Sequence, residues 1–213
     1  KTKARDGKTA REHLDGSLGR LNTDYLDLWQ VHSVNSTSDV NNRIKNGVFD
    51  EVIKAKAEGK VKNIGFTGHV TPEAHALVLK KYGDELETCQ MPINVLAPSY
   101  NSFIKNILPS LTEMNYGIIA MKTVAGGAFW GGGFEGRYGK EIHVMDFIKM
   151  KDAMHFVWSL PISTLCTGPD NADMLQEKID LANNFVKLSE DEQEELIKRV
   201  AHMAGTTIEY YKA

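Results

Sequence analysis

Lys122 closes the apolar run Gly117–Met121, and a charge at the end of a buried strand is tolerated only where it meets water or an anion. Its ammonium is therefore a candidate partner for a pyrophosphate or for a carboxylate at the rim of a site. Farther on, TGPDNADM (167–174) leads from an apolar run into a helix whose first amides can hold a phosphate. Between these two features, residues 125–139 contain seven glycines, with Phe129, Trp130, Phe134 and Tyr138 among them. Such a loop can approach a ligand closely and lay aromatic area over it; the plainer reading is a loop with no ligand. It is not a P-loop, because Gly139 and Lys140 are followed by Glu141. His13, His32, His69, His75, His143, His155 and His202 show no H-E-x-x-H or comparable spacing, so no catalytic metal is expected. Cys89 and Cys166 each lie in or beside a short apolar run, which argues against a disulfide framework or a cysteine zinc site. The sequon at Asn35 has no secretion signal to support it.

Groups of this kind need a scaffold, and the composition describes one. The 213 residues are 42% hydrophobic and 25% charged, with 25 basic and 28 acidic side chains for a net charge of −3. That excludes a disordered tail and speaks against a nucleic-acid-coating module. No run approaches the ~18 apolar residues of a membrane span, and the polar N-terminus lacks the apolar core of a signal peptide, so a cytoplasmic protein with no membrane or nucleic-acid partner is expected. The sequence opens on Lys1 rather than methionine, which makes 213 residues a lower bound on the natural length. With no linker-like stretch, residues 1–213 read as a single domain.

The apolar period switches repeatedly along the chain. Ala10, Leu14, Leu18 and Leu21 sit at helical spacing, and 25–31 (YLDLWQV) reads as a buried strand. Val48, Val52 and Ala55 share a helix face that stops at Gly59, and a strand follows at 61–66. Thr71 and Pro72 form a helix start. Strands are expected at 88–93, 117–121 and 162–166, with helices over 104–114 and 147–160 between them. Leu175, Ile179 and Ala182 lie on one face of the next helix, and Ser189 with Glu192 makes a capping box for the last. Strand following helix at intervals of roughly 25–45 residues is the rhythm of βαβ units and a parallel sheet. A Rossmann fold would place G-x-G-x-x-G after its first strand, where this chain has HSVNSTSD. The fold class is thus α/β of the (β/α)8 TIM-barrel type, incomplete, with about five parallel strands instead of eight.

Five segments carry a resemblance: SLGRLNTDYLDLWQVH (17–32), GKVKNIGFTGH (59–69), CQMPIN (89–94), YGIIAMK with the later AGG (116–127), and LPISTLCTGPDNADMLQEKI (160–179). In this order and spacing they are similar to the aldo-keto reductase family, entered partway through the barrel. The resemblance implies reduction of a small aldehyde or ketone by hydride from a nicotinamide cofactor, NADP or NAD, without a metal. In that family a tyrosine gives the proton, an aspartate and a lysine tune it, and a histidine orients the carbonyl. A phenol with an ordinary pKa near ~10 needs a neighbouring cation to release its proton at neutral pH.

By resemblance His32 is the histidine, and at the C-terminal end of a barrel strand it faces the active-site mouth. Lys1 matches the lysine, with Lys3 as a rival two residues on. The tyrosine and aspartate belong to a segment before Lys1, and Tyr25 is a packing residue rather than a substitute. Thr67 and Gly68 match a Ser-Asn pair, and Gln90 the glutamine that joins them on the cofactor carboxamide; Gly68 removes one side-chain hydrogen bond. Met121 stands where many members stack an aromatic ring on nicotinamide. Gly168 and Met174 match the two basic residues that hold the ribose phosphate of NADP, and neither is basic; Glu177 and Lys178 match a Glu-Asn pair beside the adenine. NAD is therefore a live option. Two other readings are a truncated relative that binds nucleotide or a partner chain without turnover, and a barrel enzyme for phosphorylated metabolites. Five strands leave open sheet edges, which invite a homo-oligomer. No residue names the substrate.

Overall fold

The computed structural model describes residues 1–131 and 143–213. Phe134, Tyr138 and the rest of the glycine-rich loop from 132 onward lie outside the described residues. Two compact units make up the chain, one formed by Lys1–Gln90 with Ser110–Gly117, the other by Met91–Pro109 with Ile118–Ala213.

In the first unit, Asp6 caps α1 (Gly7–Leu21) by accepting the Thr9 N–H at 2.8 Å, and Ala10, Leu14 and Leu18 are its buried stripe. β1 (Leu26–Val31) follows and pairs in parallel with β2 (Val61–Thr67), with Val31 opposite Phe66. β2 in turn pairs in parallel with β3 (Thr88–Pro92), bringing Thr67 opposite Gln90. Gly65 is required in β2, since a Cβ there would lie 2.3 Å from the Thr88 carbonyl oxygen. Between β1 and β2 run α2 (Thr37–Lys45), capped by Ser36, and α3 (Val48–Ala57), which buries Val48, Phe49, Val52 and Ala55. α4 (Pro72–Tyr82) starts at the Thr71 cap with proline at its first position, as the sequence predicts. The first residues of the chain run along β1: the Thr2 N–H donates to the Gln30 carbonyl at 2.9 Å, and the His32 N–H to the Thr2 carbonyl at 2.8 Å.

In the second unit, β4 (Gly117–Met121) pairs in parallel with β5 (Thr164–Leu165). The strand expected over 162–166 is shorter than its apolar letters imply. Pro161 and a tight bond from the Ile162 N–H to the Leu160 carbonyl, 2.7 Å, delay the start of pairing until Ser163 donates to Ile118 at 2.8 Å. The helix expected over 104–114 is two pieces, α5 (Phe103–Asn106) in this unit and α6 (Leu108–Glu113), which from Ser110 onward belongs to the first unit, because Pro109 has no N–H to continue the ladder and disfavours helical geometry just before it. α7 (Met150–Ser159), α8 (Ala172–Asn183) and α9 (Glu190–Val200) complete the order, and α9 opens on the expected Ser189–Glu192 box.

One expectation of packing fails, and one apolar helix face is open. Tyr25 is not a packed residue: it precedes β1, is 43% exposed, and carries the Lys62 ammonium 4.0 Å above its ring. On α8 the apolar face is open, Leu175 and Ile179 being 45% and 43% exposed, while Lys178 is the buried residue. Those two side chains line a groove of about 470 Å³ with Trp158 and Phe185.

Candidate functional site

The C-terminal ends of β1, β2 and β3 bring five of the expected site residues together in the first unit. β1 delivers His32, and the chain then turns at Ser33, which adopts a left-handed φ of 62°. That turn is fastened to the end of β2: the Ser33 N–H donates to Thr67 Oγ1 at 3.2 Å, and the Val34 N–H to the Thr67 carbonyl at 2.8 Å. His32 Nδ1 sits 2.7 Å from the same Thr67 Oγ1. Thr67 is fully buried, while the His32 ring is partly open to solvent.

Burial first, then the ammonium groups of Lys1 and Lys3 and the nearby His69, depress the His32 pKa from 6.5 to about 4. The ring is therefore neutral at pH 7, able to donate from one nitrogen and accept at the other. Lys1 reaches Gln90, its Nζ donating to Oε1 of that side chain. The rival Lys3 acts on His32 through its charge, whereas Lys1 also makes the bond to Gln90.

Gly68 follows β2 with its N–H given to the Gln90 carbonyl at 3.2 Å. The space a side chain would need there is filled: a Cβ would fall 2.5 Å from the Val34 carbonyl oxygen and 2.6 Å from His75 Cε1. His75 is itself fully buried on α4, tilted against Phe66 at 5.2 Å, and burial lowers its pKa to about 3. The space that an asparagine would need at this position is taken by the imidazole of His75 and the Val34 carbonyl.

One contributor escaped the sequence reading. Arg43 of α2 is wholly buried, bonded through Nε to Asp39 at 3.2 Å and through Nη2 to the Ser33 carbonyl at 3.0 Å. Its guanidinium fixes the turn that carries His32. The i, i+4 spacing of Asp39 and Arg43 was the available signal, but it marks a surface pair far more often than a buried one.

In the second unit, Lys122, Gly168, Met174 and Lys178 line one cavity of about 450 Å³, together with Gly126 and Asp170. Lys122 has a left-handed φ of 61°, and its Nζ donates to the Tyr210 hydroxyl at 2.9 Å. Lys178 Nζ donates to the Met174 carbonyl at 3.2 Å. Neither ammonium has a carboxylate partner among the described residues, although Asp170 stands in the same wall. Two cations that border a cavity and whose hydrogen bonds, among the described residues, go to neutral oxygens fit an anionic group such as a phosphate. Glu177 faces a different recess, beside Lys151 and Asp173. Met121, at the end of β4, accepts the Ile93 N–H at 3.0 Å through its carbonyl. No group of three metal-ligating side chains occurs among the described residues, and no described helix is long and apolar enough to cross a membrane.

Comparison with known proteins places this geometry in a context. The model of the Aldo/keto reductase family matches residues 3–203. A curated relative from Bacillus subtilis (strain 168), "Uncharacterized oxidoreductase YrpG", is 30% identical over 128 residues, covering 57% of this chain and 36% of that protein. The chain thus spans little more than a third of that relative's length. Among solved structures, the holo form of aldo-keto reductase AKR11C1 from Bacillus halodurans superposes with a TM-score of 0.72 at 17% identity, over 99% of this chain and 72% of its own. Glycerol dehydrogenase AKR11B4 from Gluconobacter oxydans gives 0.67 at 18% identity, over 93% and 65%. At such identities the likeness shows the fold, the α/β barrel architecture represented here by five parallel strands with their helices.

Proposed function

The chain belongs to the aldo/keto reductase family, and from that premise we propose that it handles a small aldehyde or ketone and a nicotinamide cofactor in a carbonyl reduction. The observation that carries the reading is the neutral His32 ring, tied at Nδ1 to Thr67 and unpartnered at Nε2 among the described residues, at the strand ends where α/β enzymes bind ligands. A neutral imidazole there orients a carbonyl oxygen by hydrogen bond. Lys1 and Gln90, joined to one another, hold polar groups beside it. The cofactor supplies hydride when bound.

In the first unit, Gly68 and Gln90 are the residues proposed for the carboxamide; in the second, Met121 is proposed for the ring face and Lys122 and Lys178 for phosphate. The same cavity wall presents Gly168, Met174 and Asp170, a carboxylate with no basic group at the two matched positions, which favours the diol of NAD over the extra phosphate of NADP. Glu177 has a weaker claim, since it faces another recess.

Titration of the chain with NADH and with NADPH, followed by nicotinamide fluorescence, tests the reading. Saturable binding is expected, NADH at least as tight as NADPH, and weakened in Lys122→Met. Failure of both nucleotides to bind would overturn it.

A further inference from the structure

We propose that Thr67 is a positioning residue that fixes the tautomer of His32, leaving the proton on Nε2, the nitrogen free to meet a carbonyl oxygen. The functional weight of this inference rests on the reductase reading; the tautomer itself does not.

The argument is a count of protons and lone pairs. A threonine hydroxyl has one proton to give and two lone pairs to offer. The Ser33 N–H, a donor in every state, occupies one lone pair of Thr67 Oγ1 at 3.2 Å. His32 Nδ1 lies 2.7 Å from the same oxygen, and that bond can run in either direction. If Nδ1 carried the proton, it would fill the second lone pair, and the hydroxyl proton would need an acceptor elsewhere. Thr67 is fully buried, and its oxygen has no further acceptor within reach among the described residues. The proton would then be an orphan in the interior, which folded proteins avoid. If instead the hydroxyl donates to Nδ1, the buried Thr67 hydroxyl and Nδ1 are both satisfied and Nε2 carries the ring proton.

Thr67 holds its place through the main chain. Its carbonyl accepts from Val34 at 2.8 Å, its Cα is paired with that of Gln90 across the β2–β3 ladder, and the Arg43 guanidinium anchors Ser33 from the other side. The depressed pKa of His32 agrees with this, since protonation would put a proton on Nδ1 and break the arrangement. By resemblance Thr67 was matched to a serine that contacts the cofactor; here its hydroxyl proton is already engaged, so it acts through His32.

The test is two-bond 1H–15N correlation of the 15N-histidine-labelled chain at pH 7, comparing wild type with Thr67→Val and Thr67→Ser. Wild type is expected to show His32 as a single tautomer, pyridine-type at Nδ1 and pyrrole-type at Nε2, with the Thr67 hydroxyl proton in slow exchange. Thr67→Val should shift Nδ1 and give a mixture of forms, and Thr67→Ser should restore the single form. A protonated Nδ1 in wild type, or one unaltered tautomer in Thr67→Val, would overturn the proposal. Should the valine variant fail to fold, the wild-type spectrum with Thr67→Ser still decides. The measurement needs no cofactor or substrate, so its failure is separable from failure of the reductase reading.

Discussion

Replacing Gly68 by alanine probes the packing beneath the site directly. The added Cβ would lie 2.5 Å from the Val34 carbonyl oxygen, 2.6 Å from His75 Cε1 and 3.0 Å from Val34 Cγ2. The first of these atoms is backbone, held because the Val34 N–H bonds the Thr67 carbonyl at 2.8 Å. The second is a ring with no room to retreat, since His75 is fully buried against Phe66. Relief requires moving the 33–34 turn or the α4 face, and overpacking of this kind costs about 1–3 kcal/mol. For a chain of this size that corresponds to a fall in Tm on the order of 2–12 °C. The assay is urea unfolding with a parallel thermal scan. Gly68→Asn, the residue that the family resemblance would place there, should fare worse than alanine. Combining Gly68→Ala with His75→Ala should recover part of the loss, because one of the two rigid obstacles is gone. Gly19→Ala serves as the control: nothing lies within 4 Å of the added atom, and in α1 it should stabilise by up to about 1 kcal/mol. If Gly68→Ala unfolds where the wild type does, the account of the missing asparagine is wrong.

Two further outcomes follow from the same residues. His32 and His75 have folded pKa values of about 4 and about 3, below the ordinary 6.5, so the unfolded chain binds more protons than the folded one between those limits. Their contribution to stability is present at pH 7 and is lost as pH falls from about 6.5. Each contributes a slope of at most about 1.4 kcal/mol per pH unit, less for the solvent-touched His32. His75→Phe should flatten the pH dependence of urea midpoints between pH 6.5 and 4.5; an unchanged profile would count against it. In a preparation that reduces a carbonyl, His32→Ala should lower kcat by roughly 10²–10³-fold and leave nucleotide affinity nearly untouched. Lost binding with intact turnover per bound nucleotide would refute its role.

Much of the scaffold was legible because local signals and tertiary packing agree. β4 ends where the apolar run does, Thr71–Pro72 and Ser189–Glu192 cap as their letters propose, and the strand before His32 is a strand. Elsewhere the burial decision is made by neighbours distant in sequence. Leu175 and Ile179 have the spacing of a buried stripe and lie in an open groove, while Lys178 between them is buried. On this helix, unlike α1 and α3, the apolar spacing does not report which side is covered.

The site divides similarly. His32, Thr67 and Gln90 meet at one place because parallel strands align their ends. Gly168, Met174 and Lys178 share a cavity with Lys122 because α8 begins beside the loop after β4. The direction of the Thr67 hydroxyl, the burial of Arg43 and the imidazole standing where Gly68 lacks a side chain all depend on three-dimensional neighbours, and no spacing rule announces them.

The chain's last turn holds a further lesson, for how this sequence can vary. Glu209 and Lys212 form an ion pair at 2.8 Å with both side chains sealed from water; Lys212 also donates to the Tyr100 carbonyl, and the Tyr211 hydroxyl to Glu209. Removing either charge alone strands the other in the interior, a far larger penalty than exchanging both for apolar groups of matching volume. The two positions are therefore epistatic: viable descendants keep both charges or lose both, and a lineage passing between those states must cross a poorly folded intermediate.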